Sequence, residues 1–375
     1  MKMRKSNYSL VATLAIVATF WSCGEDGVTD DSKAGAADYT NLLTEYTEKT
    51  VIGTYADMKD NAMSLHNTVV AFASSASQSD LDAACESWKL TRAPWEKSEA
   101  FLFGPAAHNG LDPLLDSWPL DQSQLENVLA GQQELNADNV RNAFGAVIRG
   151  FHTIEYLLFR DGENRNAADL TTRETEYLVA VTQVLRDDCI TLWALWEGVE
   201  DGSAEAEILA ELEIEIEEPY KDEFLNAGQL GSSYFAQRDA VDEIIQGILD
   251  IADEVANGKV AGPYTSGDVY EVESWHSWNS LTDFKNNIRS IENAYTSSYN
   301  GVSGEASLSS MVVSKDTDLD TEVKETIQAA IDALNAINEP FRNNLNDDVN
   351  IPAAMDAINA ITTIFDEKVK SVVFN

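Results

Sequence analysis

The chain has 375 residues, and its 64 acidic against 25 basic side chains give a formal net charge of −39. Such a balance excludes nucleic acid as a partner, because basic groups are needed to offset phosphate repulsion. It also excludes a polybasic membrane contact; it favours cations only in a general way, and solubility accounts for most of it.

The first segment carries Lys2, Arg4 and Lys5, then an apolar run over 10–21, then Ser22 and Cys23. Residues 1–22 read as a lipoprotein signal peptide, too short for a membrane span. Cys23 is the expected lipid-attachment residue, and 23–37 is a polar, acidic tether. A soluble secreted chain cleaved nearby is the alternative. Cys85 and Cys189 both lie in apolar helical patterns, compatible with a pair across two helices or with buried thiols.

Apolar residues at helical spacing predict a long helix over 39–72. A polar turn follows, with Asp80 as cap for a helix over 81–103 that Gly104-Pro105 stops. An irregular stretch over 104–120 leads to helices over 123–129, 140–159 and 171–196, the last capped at Thr171 or Thr172. An acidic helical stretch over 204–216 is broken by Pro219, Gly228 and Gly231, where a domain junction is expected. Beyond it come a helix over 236–256, a loop over 258–263, a helix over 272–299, and closing helices over 321–337 and 353–372. The fold class is all-α: two antiparallel helical bundles, 38–228 and 229–375, whose coarse echo is compatible with duplication.

Chemistry concentrates in three places. Trp88, Arg92, Trp95 and Glu99 share one helical face by their spacing. A buried charge there needs a partner; an Arg–Glu pair at a bundle rim reads equally well. The loop over 104–119 offers His108 and Asp112 as ligand contacts, or packs Trp118 over the bundle. Gly150-Phe151-His152-Thr153-Ile154-Glu155 places His152 and Glu155 three apart, and Glu273 and His276 form a reversed pair. With so many acids, one or two such pairs arise by chance. Ser277, Ser280 and Asp283 line a polar face that is either a site or a solvent stripe. No His-Glu-x-x-His helix is present, so a zinc site would recruit ligands from separate segments.

Together, Gly150-x-His152-x-x-Glu155, the run from Trp88 through Arg92, Trp95 and Glu99 to Pro105, the loop with Asp112, Asp116 and Trp118-Pro119, and the block from Glu273 to Asp283 resemble the imelysin-like family. That family is also classed as peptidase M75, the insulin-cleaving metallopeptidase type. The likeness runs over about 38–372. It implies two related helical domains with a site between them, and an exported, lipid-anchored protein of the cell envelope, in the outer membrane, tied to iron uptake. It implies His152 and Glu155 as metal ligands, with Trp88, Arg92, Glu99, Asp112, Ser280 and Asp283 around the ligand. The expected cargo is iron or an iron chelate, handed among envelope iron-uptake proteins. The rivals are a zinc-dependent peptidase using His152 with His276 or Asp283, and an interaction scaffold in which the polar cluster only cements the domains.

Overall fold

A computed structural model describes residues 38–375; the expected signal peptide, Cys23 and the tether lie outside the described residues. The regular structure of the described residues is almost all helix. In order, the helices are α1 (Thr40–Glu45), α2 (Ile52–Ser75), α3 (Gln78–Glu96), α4 (Pro105–His108), α5 (Asp112–Asp116), α6 (Gln122–Ala130), α7 (Ala137–Asn142), α8 (Gly150–Leu158) and α9 (Thr172–Glu197). Then come α10 (Ala204–Glu211), α11 (Lys221–Leu225), α12 (Gln237–Asp253), α13 (Ala261–Ser266), α14 (Ser280–Thr296), α15 (Leu308–Lys315), α16 (Thr317–Ala336), α17 (Asn350–Ile364) and α18 (Lys370–Phe374). The strands among the described residues are Phe159–Arg160 and Glu163–Asn164, a small antiparallel hairpin. No helix among the described residues is long and apolar enough to cross a membrane.

Local chemistry explains where the helices begin and end. Ser77, rather than Asp80, caps α3 by accepting from the Asp80 N–H, so Asp80 sits inside the first turn. Pro94 lies within α3 and cannot donate back to the Leu90 carbonyl. The Asn61 amide of α2 fills that place, donating to Leu90 O at 3.0 Å. At α9, Thr171 is the cap of the two expected residues, and with Glu174 it forms a reciprocal capping box.

Several expected boundaries shift. The helix over 81–103 ends at Glu96 and gives way to a tight 3₁₀ turn, Glu99–Phe101. The helix over 140–159 is two helices, because Gly150 takes φ +75° and opens α8 afresh. A side chain at Gly150 would collide with the Leu115 carbonyl of α5, so glycine lets α5 and α8 touch. The expected loop over 258–263 is helical: a π segment, Glu254–Val260, extends α12 into α13. The expected helix over 272–299 starts only at Ser280. Residues 272–279 form turns in which Ser274 and Trp278 take left-handed φ. The helix α15 was not expected at all.

The described residues form one compact unit with a continuous hydrophobic core through both halves. Helix α2 lies against α3 and α9, α12 against α14 and α17, and α16 against α17. Helix α14 packs on α3, and α12 packs on the Glu99–Phe101 turn, so the chain halves meet along α3. Trp88, Trp95 and Trp196 are wholly buried, each worth roughly 1.5–3 kcal/mol of burial or more. Cys85 and Cys189 are both buried free thiols, which resolves that alternative.

Candidate metal centre

Arg92, on the inner face of α3, is fully buried and surrounded by carboxylates from four segments. One turn on, Glu96 meets it at 2.5 Å. Asp116 from the end of α5 bonds Nη1, Glu273 from the turns before α14 bonds Nη2 at 2.7 Å, and Asp283 of α14 lies 3.4 Å from Nε. Each carboxylate is itself held. The Trp95 indole donates to Asp116 Oδ2 at 2.6 Å, Asn279 to Asp283 Oδ1 at 2.6 Å, and Asn287 to Glu96 Oε2 at 2.5 Å. Ser280 donates its hydroxyl to the Glu273 carbonyl at 2.5 Å, fixing the turn that carries Glu273.

His152 stands beside this network. Its Nδ1 is 3.1 Å from Glu155 Oε2, and the other Glu155 oxygen accepts from the Ser277 N–H at 2.8 Å and hydroxyl at 2.7 Å. Glu155 is thus fully engaged, and it turns the imidazole so that Nε2 faces Asp116 and Glu273. Nε2 lies 3.0 Å from Asp116 Oδ1 and 3.6 Å from Glu273 Oε1. Neither contact has strict hydrogen-bond alignment, but the Asp116 carboxylate is an ion-pair partner for this buried nitrogen when the ring is protonated. Trp118 covers the ring, with centroids 4.6 Å apart.

Ligand atoms of Asp116, His152 and Glu273 lie within 4.8 Å of one another, as do those of Glu96, Glu99 and Asp116. Among the described residues these are the groups so placed, and neither includes Glu155, His276 or Asp283. His276 stacks on Trp275 instead, and burial depresses its imidazole to about 4.

The electrostatics show a shortage of positive charge. Lys259, from the π segment, approaches Glu273 at 3.2 Å and Glu99 at 3.5 Å. Against the cost of burial, Lys259, His152 and Arg92 hold Glu273 down to about 2. Arg92 and His152 likewise outweigh burial and hold Asp116 far below the usual carboxylate range. Burial still dominates at the remaining acids. Glu96 is raised well above its ordinary value despite Arg92, Glu99 is pushed up to about 8 despite Lys259, and Asp283 to about 6. Asp112 rises to about 6 through burial and the nearby Asp116 charge. One arginine and one lysine do not neutralise this many carboxylates, so some keep their protons. His152, next to Asp116, is raised well above its ordinary value although burial opposes this.

A cavity of about 330 Å³ opens onto the cluster, lined by Glu99, Asp112, Asp116, Trp118, Lys259 and Glu273 among others. A small ligand therefore has a route to Asp116 and Glu273, with His152 buried behind them.

Comparison with known proteins follows the same lines. The imelysin (peptidase M75) family model matches residues 51–367. The chain belongs to the imelysin family. Iron-regulated protein A of Synechococcus elongatus is 28% identical over 300 residues, covering 80% of this chain and 76% of that protein. The crystal structure of an iron-regulated protein A precursor from Parabacteroides distasonis matches with a TM-score of 0.78 at 32% identity, covering 91% of this chain and 97% of that one. An imelysin-like protein from Psychrobacter arcticus, 14% identical, shares the fold with a TM-score of 0.68 over 88% of this chain and 94% of that one.

On this imelysin fold, Arg92, Glu99, Asp112, His152, Ser280 and Asp283 gather around one cluster, with Glu155 behind His152. Trp88 does not touch the cluster's carboxylates; its indole donates to the Phe151 carbonyl at 3.1 Å and seats the start of α8. His108 lies apart, its ring centroid 5.8 Å from that of Tyr220. The sequence pattern gives no role to Lys259. Glu96 and Asp116 fall in the family blocks without a role, and Glu273 is paired there with His276 and not with His152. Glu96 had a local signal, four residues after Arg92; Lys259 had none, because its segment reads as a loop.

Proposed function

We propose that this imelysin is an exported, lipid-tethered envelope protein that binds a metal cation, iron in its physiological setting, at Asp116, His152 and Glu273. The reading is carried by one observation: the buried His152 Nε2 and carboxylate oxygens of Asp116 and Glu273 converge within 4.8 Å of one another. One imidazole nitrogen with two carboxylate oxygens is a donor set that suits iron. Glu155 supplies the acceptor behind the ligating histidine that metal-bound imidazoles usually have. Glu99, raised to about 8 and so protonated at neutral pH, gives a second support, since an arriving cation can take the place of that proton. Iron enters as the cargo because the relatives above are named iron-regulated protein A.

Arg92 and Lys259 already contact the same carboxylates, and an ionised carboxylate has lone pairs for both. A metal therefore competes with Lys259 for Glu273 while Arg92 holds the cage. The peptidase alternative has less support. Hydrolysis calls for a free base near the metal, and Glu155 has both oxygens committed to His152 and Ser277.

Anaerobic titration of the purified chain with Fe(II), and aerobic titration with ferric citrate and Zn(II), tests the proposal. Iron binding that is lost in Asp116→Asn and His152→Gln, both still folded by circular dichroism, is expected. No binding by the intact chain, or full binding by both variants, overturns it.

A further inference from the structure

One loop presents apolar side chains for which the fold gives no use. Residues 226–236 join α11 to α12, and Leu230 and Phe235 on that loop are fully exposed. The loop is not loose. Gly228 donates to the Tyr234 carbonyl at 2.9 Å, and Ser232 donates its hydroxyl to the Glu223 carbonyl at 2.7 Å. Tyr234 points inward, its hydroxyl 3.1 Å from that of Tyr220 and its ring 5.0 Å from Phe224. With Tyr234 pinned in the core, its neighbour Phe235 is held outward. Ordering a loop so that Leu and Phe meet water is unfavourable unless something covers them.

The chain enters the described body beside this loop. The Tyr39 N–H donates to Gln237 Oε1 at 2.9 Å, and the Gln237 amide donates to Thr40 Oγ1 at 2.8 Å. Gln237 is two residues from Phe235. If Cys23 carries lipid, the stretch over 23–37 cannot exceed roughly 50 Å even fully extended, so the end bearing Phe235 stays within that reach of the bilayer.

We propose that Leu230 and Phe235 form a membrane-contact patch that inserts into the lipid surface next to the anchor. This rests on the reading of Cys23 as the anchored residue. The occupant is lipid because the exposed Phe235 lies two residues from Gln237, which bonds Tyr39 and Thr40 at the tether's point of entry. Apolar insertion is the term left to such a contact, since a chain of net charge −39 gains nothing from anionic headgroups. Lipid anchoring becomes firm when a second signal joins the first, and the loop supplies it. Leaflet contact at this end also fixes the orientation of the body instead of leaving it to swing on its tether.

The test uses the full chain, extracted from membranes and reconstituted in phosphatidylcholine vesicles. Cys85 and Cys189 are buried, so Leu230→Cys or Phe235→Cys is the thiol open to a polarity-sensitive fluorophore. Leu90→Cys, on the exposed side of α3, is the control. A blue shift and quenching by spin-labelled lipid at 230 and 235, unaffected by salt and absent at 90, are expected. Protein that floats with vesicles while the probes at 230 and 235 stay in a water-like environment overturns the patch and leaves the anchor standing. Protein that does not float overturns the anchor, and the patch with it. A blue shift that grows with protein concentration and needs no vesicles assigns the loop to contact between copies, and also overturns the proposal.

Discussion

Two buried arginines, Arg149 at the start of α8 and Arg92 in α3, have contrasting surroundings. Arg149, just before Gly150, bonds Asp188 of α9, while Arg141 and Arg186 bond the adjacent Asp187. There cations match or outnumber acids, although burial still raises Asp188 to about 6, and among the described residues neither convergent ligand group includes Asp187 or Asp188. Around Arg92 the acids exceed the cations, ligand-capable atoms converge, and a cavity reaches them. The first arrangement is what a helix bundle needs to tie α7, α8 and α9 together. The second leaves charge unmatched inside the fold, which structure alone does not require.

The comparison breaks most visibly at the arginines. Arg92→Met strands several buried carboxylates at once. Removing one partner of a buried ion pair typically costs about 3–5 kcal/mol, and Arg92→Met is expected at or above the top of that range. Arg149→Met should cost less, because Asp188 alone loses its direct partner and Arg141 stays close by. Urea unfolding of both variants checks the order; equal losses would mean that the Arg92 cluster is no more strained than an ordinary pair.

A second way to sharpen it is pH. The carboxyl of Glu99 titrates near 8 in the folded chain and near 4.5 when unfolded. The folded state therefore holds its proton more tightly. This contribution is fully present below about pH 4.5, and stability is lost as pH rises to about 8, where the loss levels off. Glu99→Gln removes that loss. Its melting temperature should match the parent chain near pH 4 and exceed it at pH 8, by the equivalent of about 2–4 kcal/mol after the lost Lys259 contact is counted. A constant difference across that range would show that Glu99 is not held protonated.

How much of this was legible in the sequence depends on how far apart the partners lie. Arg92 and Trp95 declare themselves through helical spacing, and His152 with Glu155 through theirs. The start of α9 is legible as a threonine cap, with Thr171 and Thr172 both open until the structure selects Thr171. The spacing argument fails where a helix ends early. Glu99 was placed on the Arg92 face by extending α3 past Glu96, yet it reaches the site through the 3₁₀ turn that follows. Glu273 was placed on a helix and in fact reaches Arg92 from a string of turns with left-handed residues, which periodicity does not encode. Lys259 sits in a Gly-rich stretch that reads as loop but extends α12 as a π segment. Asp116 and His152 come together only because Gly150 lets α5 approach α8, a tertiary contact with no local trace.

The finest test separates ligand from support. Glu155 was expected to be a ligand through its spacing from His152, but its oxygens are spent on His152 Nδ1 and Ser277. In Glu155→Gln the oxygen facing His152 can be replaced by an amide donor, which frees the imidazole to take the wrong tautomer or to rotate. Loss of such an orienting group typically weakens metal binding about 10–100-fold without abolishing it, whereas Asp116→Asn, which removes a ligand charge, should weaken it further. The metal's contest with protons adds a signature. His152 is held charged by Asp116, and Nε2 must shed its proton to ligate, so affinity should fall as pH is lowered. Asp188→Asn, in the balanced group, is expected to leave affinity and its pH slope unchanged. Isothermal titration of the three variants at two pH values distinguishes these cases. If Glu155→Gln and Asp116→Asn lose affinity equally, Glu155 is a ligand after all and its bonds to Ser277 must break on binding.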